Sequence, residues 1–171
     1  MARARREDAP TTPADPVERA REIALRSLTQ GPRSCAQLRE KLLAREVEPH
    51  IADALIVRFV EVGLLDDATL AAQIARTRHA ERGLAPRAIR MELQRKGFTP
   101  ADIAAALEPI PDTIDDRARE LARKRWDSLS GLEYEARARR VVGMLARKGY
   151  SPSGAFAVVK DWQRADKAGV D

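Results

Sequence analysis

With one cysteine in 171 residues, the chain cannot hold an internal disulfide framework. Its two histidines, His50 and His79, stand apart with no partner at metal-ligand spacing, and Cys35 has no second cysteine near it. There is no glycine-rich phosphate loop of the P-loop or dinucleotide type, and no Gly-x-Ser-x-Gly elbow. These gaps leave no enzyme, metal or cofactor to expect. No apolar run approaches the roughly 18 residues that cross a bilayer, and the N-terminus lacks the apolar stretch of a signal peptide. A soluble, cytoplasmic monomer with no membrane partner is expected. Aromatic residues are only 4% of the chain, so a core has to be made from Leu, Ile, Val and Ala.

What the chain has is an echo of itself. Ala20-Arg21-Glu22-Ile23-Ala24 is answered by Ala71-Ala72-Gln73-Ile74-Ala75 and by Ala118-Arg119-Glu120-Leu121-Ala122. Likewise Leu42…Val47-Glu48-Pro49 returns as Leu93…Phe98-Thr99-Pro100 and as Leu145…Tyr150-Ser151-Pro152. The first offset is 51 residues; the second is 47 at the first marker and 52 at the others, so the third copy carries five extra residues before its second core marker. Matching apolar positions follow: Leu38, Ile89 and Val141; Leu42, Leu93 and Leu145; Val47, Phe98 and Tyr150; Phe59, Ile110 and Trp162. Repeated units of this length are too small to be secure alone and stack.

The punctuation inside each copy is helical. The expected architecture is all-α: three tandem three-helix repeats forming an elongated, curved array, at 17–66, 67–110 and 114–162. Residues 1–16 read as a disordered tail and 163–171 as a frayed end. Ser34 with Gln37 makes a capping box, and Ser130 with Glu133 is expected to make another. Pro49, Pro100 and Pro152 suit first-turn positions, and the Asp66-Asp67 and Asp115-Asp116 pairs read as helix-start carboxylates rather than metal ligands. The last helix is expected to close near Trp162.

Charge is uneven across the copies. Residues 17–67 hold 8 basic and 9 acidic residues, 68–113 hold 7 and 5, and 114–171 hold 13 and 9. Such weighting fits an acidic partner, nucleic acid included, and fits a mixed solvated surface equally. Arg45, Lys96 and Lys148 recur at the end of each second helix, where the macrodipole alone accounts for a cation. Arg39 matches Arg90, Arg87 matches Arg139, and Arg95 matches Arg147. Arg87, Arg90 and Gln94 form a polar stripe off the Ile89/Leu93 face, able to meet phosphates or carboxylates. A helix-turn-helix reader would need basic or amide side chains at the start of each third helix. Those helices open Pro49-His50-Ile51-Ala52-Asp53, Pro100-Ala101-Asp102-Ile103 and Pro152-Ser153-Gly154-Ala155, so base readout is disfavoured and DNA contacts should be to the backbone.

The ordered motifs Ser34-x-x-Gln37-Leu38…Lys41-Leu42, Gly63-Leu64-Leu65-Asp66-Asp67 and Arg82-Gly83…Ile89…Leu93-x-x-Lys96-Gly97 resemble the RecX family of bacterial recombination regulators. Ile103…Ala106-Leu107 and Arg147-Lys148-Gly149-Tyr150 continue the pattern, and the likeness covers about residues 17–162. The resemblance implies a non-enzymatic protein that binds the RecA filament in its groove and inhibits ATP hydrolysis, strand exchange and filament growth. Some members also bind single- or double-stranded DNA. Arg82, Lys96 and Lys148 match recurrent basic positions of the family; Arg39, Arg45, Arg87, Arg90, Arg95, Arg139 and Arg147 are binding candidates from the repeat alone. Glu46 departs from the pattern, standing where Gly97 and Gly149 have glycine, and Leu70 stands where the family often has an aromatic. A DNA-binding regulator independent of RecA is the alternative, and a helical scaffold for another protein is a third reading.

Overall fold

The computed structural model describes residues 15–168, so nearly all of the expected N-terminal tail lies outside the described residues. Every regular element described is an α-helix. The first repeat comprises α1 (Pro16–Thr29), α2 (Cys35–Leu43) and α3 (Pro49–Glu61). The second comprises α4 (Asp67–Arg82), α5 (Pro86–Arg95) and α6 (Pro100–Leu107); the third, α7 (Asp116–Asp127), α8 (Tyr134–Arg147) and α9 (Pro152–Ala168).

Local chemistry sets the helix starts. Ser34 Oγ accepts from the Gln37 N–H at 3.1 Å, and the Gln37 side chain accepts from the Ser34 N–H at 3.2 Å. Asp66 and Asp115 accept from the N–H groups of Thr69 and Ala118 at 2.9 and 2.8 Å, so one carboxylate of each pair caps. Prolines occupy the first turns of α1, α3, α5 and α6.

Two boundaries differ from the sequence reading. No capping box forms at Ser130 and Glu133: α8 starts at Tyr134, and Glu133 is its uncapped N-cap. Leu129 turns into the core instead, 7% exposed, and its carbonyl closes a turn with the Leu132 N–H at 3.0 Å. The last helix passes Trp162 and runs to Ala168, because no glycine or proline intervenes before Gly169. The five extra residues of the third copy also find their place. Compared with α5, α8 begins four residues farther ahead of its core marker, so most of the insertion is one added helical turn.

Each repeat closes on its own core. Leu38 and Leu42, Ile89 and Leu93, and Val141 and Leu145 are all fully buried, as are Ala24, Ala75 and Ala122. The chain divides into two compact units, one ending at Leu65 with the first repeat, the other beginning at Asp66 with the second and third. In the second unit the two repeats interlock. The Ala85 N–H donates to the Lys148 carbonyl at 2.9 Å, and the Lys148 ammonium donates to the Arg82 carbonyl. His79 bridges the Leu84 carbonyl (Nδ1, 3.0 Å) and the Asp115 carboxylate (Nε2, 2.8 Å). Glycine is required at this seam. At Gly149, with φ of 95°, a Cβ would stand 2.9 Å from both the amide nitrogen and the Cβ of Ala88.

Candidate functional site

The ten basic candidates separate once their partners are known. Arg39 on α2 is ion-paired with Asp53 on α3 at 2.6 Å, which holds the Asp53 carboxyl below its ordinary range. Lys148 is half-buried at the seam, with its ammonium committed to a backbone carbonyl. Burial lowers its pKa first, and the charges of Arg117 and Arg82 lower it further. Arg82 ends α4, its side chain exposed and its carbonyl taken by Lys148. Lys96 caps α5 and, with Arg82, adds to the depression of the Glu92 pKa. Arg45 and Arg95 are exposed at the ends of α2 and α5. Arg87 and Arg90 line a groove between α5 and α6 that also holds Glu108 and Asp112.

Arg139 and Arg147 fall together, and they bring two arginines the sequence reading missed. A groove of about 740 Å³ between α7 and α8 is lined by Arg125, Arg139, Arg140 and Arg147, over Ala136, Gly143 and Met144. All four arginines are exposed, and none has an acidic partner among the described residues. Their neighbours on the same helices are neutralised: Arg117 and Lys124 pair with Glu120, and Arg123 and Arg137 with Asp127. Gly143 leaves the floor bare, and a Cβ there would stand 3.5 Å from Arg147 Nη1.

Comparison with the second repeat explains why this groove stays cationic. There Arg78 on α4 holds Glu92 on α5 through two parallel contacts at 2.8 Å. The hydrogen bond from Arg78, against the opposing effect of burial, keeps the Glu92 carboxyl below its ordinary range. One repeat on, Arg78 becomes Arg125 and Glu92 becomes Met144. The arginine is kept and its acid is lost. That substitution was visible in the repeat alignment at offsets 47 and 52; what sequence could not supply was that these two positions face each other.

Behind the groove, Trp126 anchors α7, 1% exposed. It meets Tyr134 edge-on at 5.7 Å and Trp162 at 5.9 Å between ring centroids, and the Arg137 guanidinium lies 4.0 Å over its ring. These contacts join α7 to α8 and α9 through one aromatic cluster. Among the described residues, no group of His, Cys, Asp or Glu is placed to hold a metal ion, and no helix is long and apolar enough to cross a membrane.

Tandem three-helix repeats, the third carrying an exposed arginine groove, define an all-α helical-repeat protein. Three family models match in order: RecX first three-helix domain at residues 20–59, second at 66–107 and third at 113–159. The chain belongs to the RecX family. It is 41% identical over 160 residues to the regulatory protein RecX of Thermobifida fusca (strain YX), spanning 93% of this chain and 86% of that one. The RecX of Mycolicibacterium smegmatis is 38% identical over 147 residues, 83% of this chain and 78% of that one. The crystal structure of RecX from Lactobacillus salivarius shares the fold, with TM-score 0.73 and 21% identity over 86% of this chain and 97% of that chain.

Proposed function

We propose that this protein binds the RecA recombinase filament and restrains ATP hydrolysis, strand exchange and filament growth, so modulating homologous recombination and DNA repair. Membership of a family of regulatory proteins supports the reading, and the arginine groove of the third repeat carries its physical part. Four unpaired guanidinium groups in one furrow suit a phosphodiester backbone, since each can take two phosphate oxygens. The groove offers no aromatic side chain for base stacking, so contact there is indifferent to sequence. Several weak contacts repeated along a filament sum to firm binding without any deep pocket.

The test is RecA with single-stranded DNA and ATP, titrated with the purified protein. Falling ATPase together with co-sedimentation on the filament is expected; unchanged ATPase at saturation with no filament binding would sink the reading. A DNA-binding regulator independent of RecA is the second reading, and the same groove favours it. Gel shifts separate the two: binding that resists competitor on one duplex sequence supports the second. Weak binding to any sequence, falling with salt at a log–log slope of roughly −3 to −4 for four phosphates, supports the first.

A further inference from the structure

The furrow between the second and third helices recurs in every repeat, and the fifth residue of the third helix stands at it: Asp53, Ala104 and Phe156. In the first repeat Asp53 reaches across to Arg39 at 2.6 Å. In the second, Ala104 leaves it open between Arg87 and Glu108. In the third, a groove of about 480 Å³ is walled by Tyr134, Ala138 and Arg139 of α8 and by Phe156, Ala157 and Lys160 of α9. Phe156 is 53% exposed, at a position where the sister repeats fold with aspartate and alanine. Packing therefore does not require this ring, and leaving it in water costs free energy.

The charges around it are uncommitted as well. Glu135, Arg139 and Lys160 all line the groove, and none has an ion-pair partner among the described residues. Two cations, one on each wall, face a single acid one helical turn from Arg139 along α8. An apolar floor with few placed charges is the usual make-up of a site for a side-chain anchor.

We propose that the α8/α9 groove docks a protein segment presenting one large apolar side chain beside a carboxylate. The apolar group lies against Phe156, Ala138 and Ala157, and the carboxylate sits between Arg139 and Lys160. Glu135 disfavours a phosphate chain here, in contrast to the all-cationic α7/α8 groove, with which this one shares Arg139. That the segment belongs to the recombinase rests on the function proposed above; that the groove takes such a segment does not.

Two probes separate these claims, with the full-length protein and the exposed-site variants Phe156→Ser, Lys160→Glu and Glu135→Lys. The first is the RecA filament on single-stranded DNA; the second is a fluorescein-labelled peptide of the pattern Asp-Leu-Phe-Glu, with a control whose acids are replaced by lysine. Phe156→Ser should bind both probes at least tenfold more weakly with affinity for naked oligonucleotide unchanged, Lys160→Glu should bind both more weakly, and Glu135→Lys both more tightly. Peptide binding that ignores all three substitutions overturns the proposal. So does loss of naked-DNA affinity in step with filament affinity in Phe156→Ser, which makes the occupant nucleic acid. A self-association abolished by Phe156→Ser, with filament affinity intact, makes it a second copy. Peptide binding with no filament binding by the unsubstituted protein leaves the groove standing and removes the recombinase as its partner.

Discussion

Arg78 and Glu92 grip each other from α4 and α5 with both contacts at 2.8 Å, and both side chains are mostly shielded, 24% and 18% exposed. The folded chain holds the Glu92 carboxyl below its ordinary 4.5, so it binds that proton less tightly than the unfolded chain does. The pair's contribution is thus complete above about pH 4.5 and is lost as pH falls through the folded value. Glu92→Gln should lower stability by roughly 1–3 kcal/mol at pH 7. Urea unfolding of both proteins across pH 3–7 checks it: the gap should close on the acid side, and a gap independent of pH would assign the effect elsewhere.

The same pair predicts how to silence the third repeat's groove. Met144→Glu restores the acid that Arg125 lacks. Oligonucleotide affinity should fall, and its salt slope should shrink by about one. Thermal stability should fall modestly, because Met144 is partly buried against the core of the third repeat, so the slope is read below the melting temperature of the variant. An unaltered slope would place the phosphate contacts outside this groove.

Glu46 adopts φ of 62°, a left-handed conformation that its sisters Gly97 and Gly149 reach at 78° and 95° with no side chain to clash. Glu46→Gly relieves that strain but adds freedom to the unfolded chain. A net gain of about 0.5–1 kcal/mol is expected in chemical denaturation, and a loss would mean that the glutamate side chain contributes more than its backbone costs.

The Tyr150 hydroxyl is buried with no hydrogen-bond partner among the described residues, whereas Val47 and Phe98 fill the same place without one. Burial, reinforced by the nearby Asp115 carboxylate, pushes its phenol up to about 12. Tyr150→Phe should melt at the same temperature or higher, with a gain of up to about 1–3 kcal/mol. A clear drop in melting temperature would reveal a stabilising contact made by the hydroxyl.

Much of the fold was legible because its signals are local. Ser34 with Gln37, Asp66 and Thr99 each cap within three residues, and the buried pairs Leu38/Leu42, Ile89/Leu93 and Val141/Leu145 stand at helical spacing. Ser130 and Glu133 show the same pattern and failed, since Leu129 claims a place in the core and turns the chain before a helix can start. The site was less legible for a related reason. Arg39, Lys148, Arg125 and Arg140 look alike in sequence, and only tertiary partners distinguish an occupied cation from a free one.

The turn added at the start of α8 has a consequence for how a repeated chain divides labour among its copies. Four residues of helix extend α8 by about 6 Å. That ledge carries Tyr134 and Glu135 to one groove, Ala136 to the other, and Arg137 to the Trp126 ring between them. The longer start of α8 thus supplies an end wall to two recesses at once, while the core rows keep the spacing of the sister copies. One added turn of helix changes two surfaces of the third copy and leaves that spacing alone.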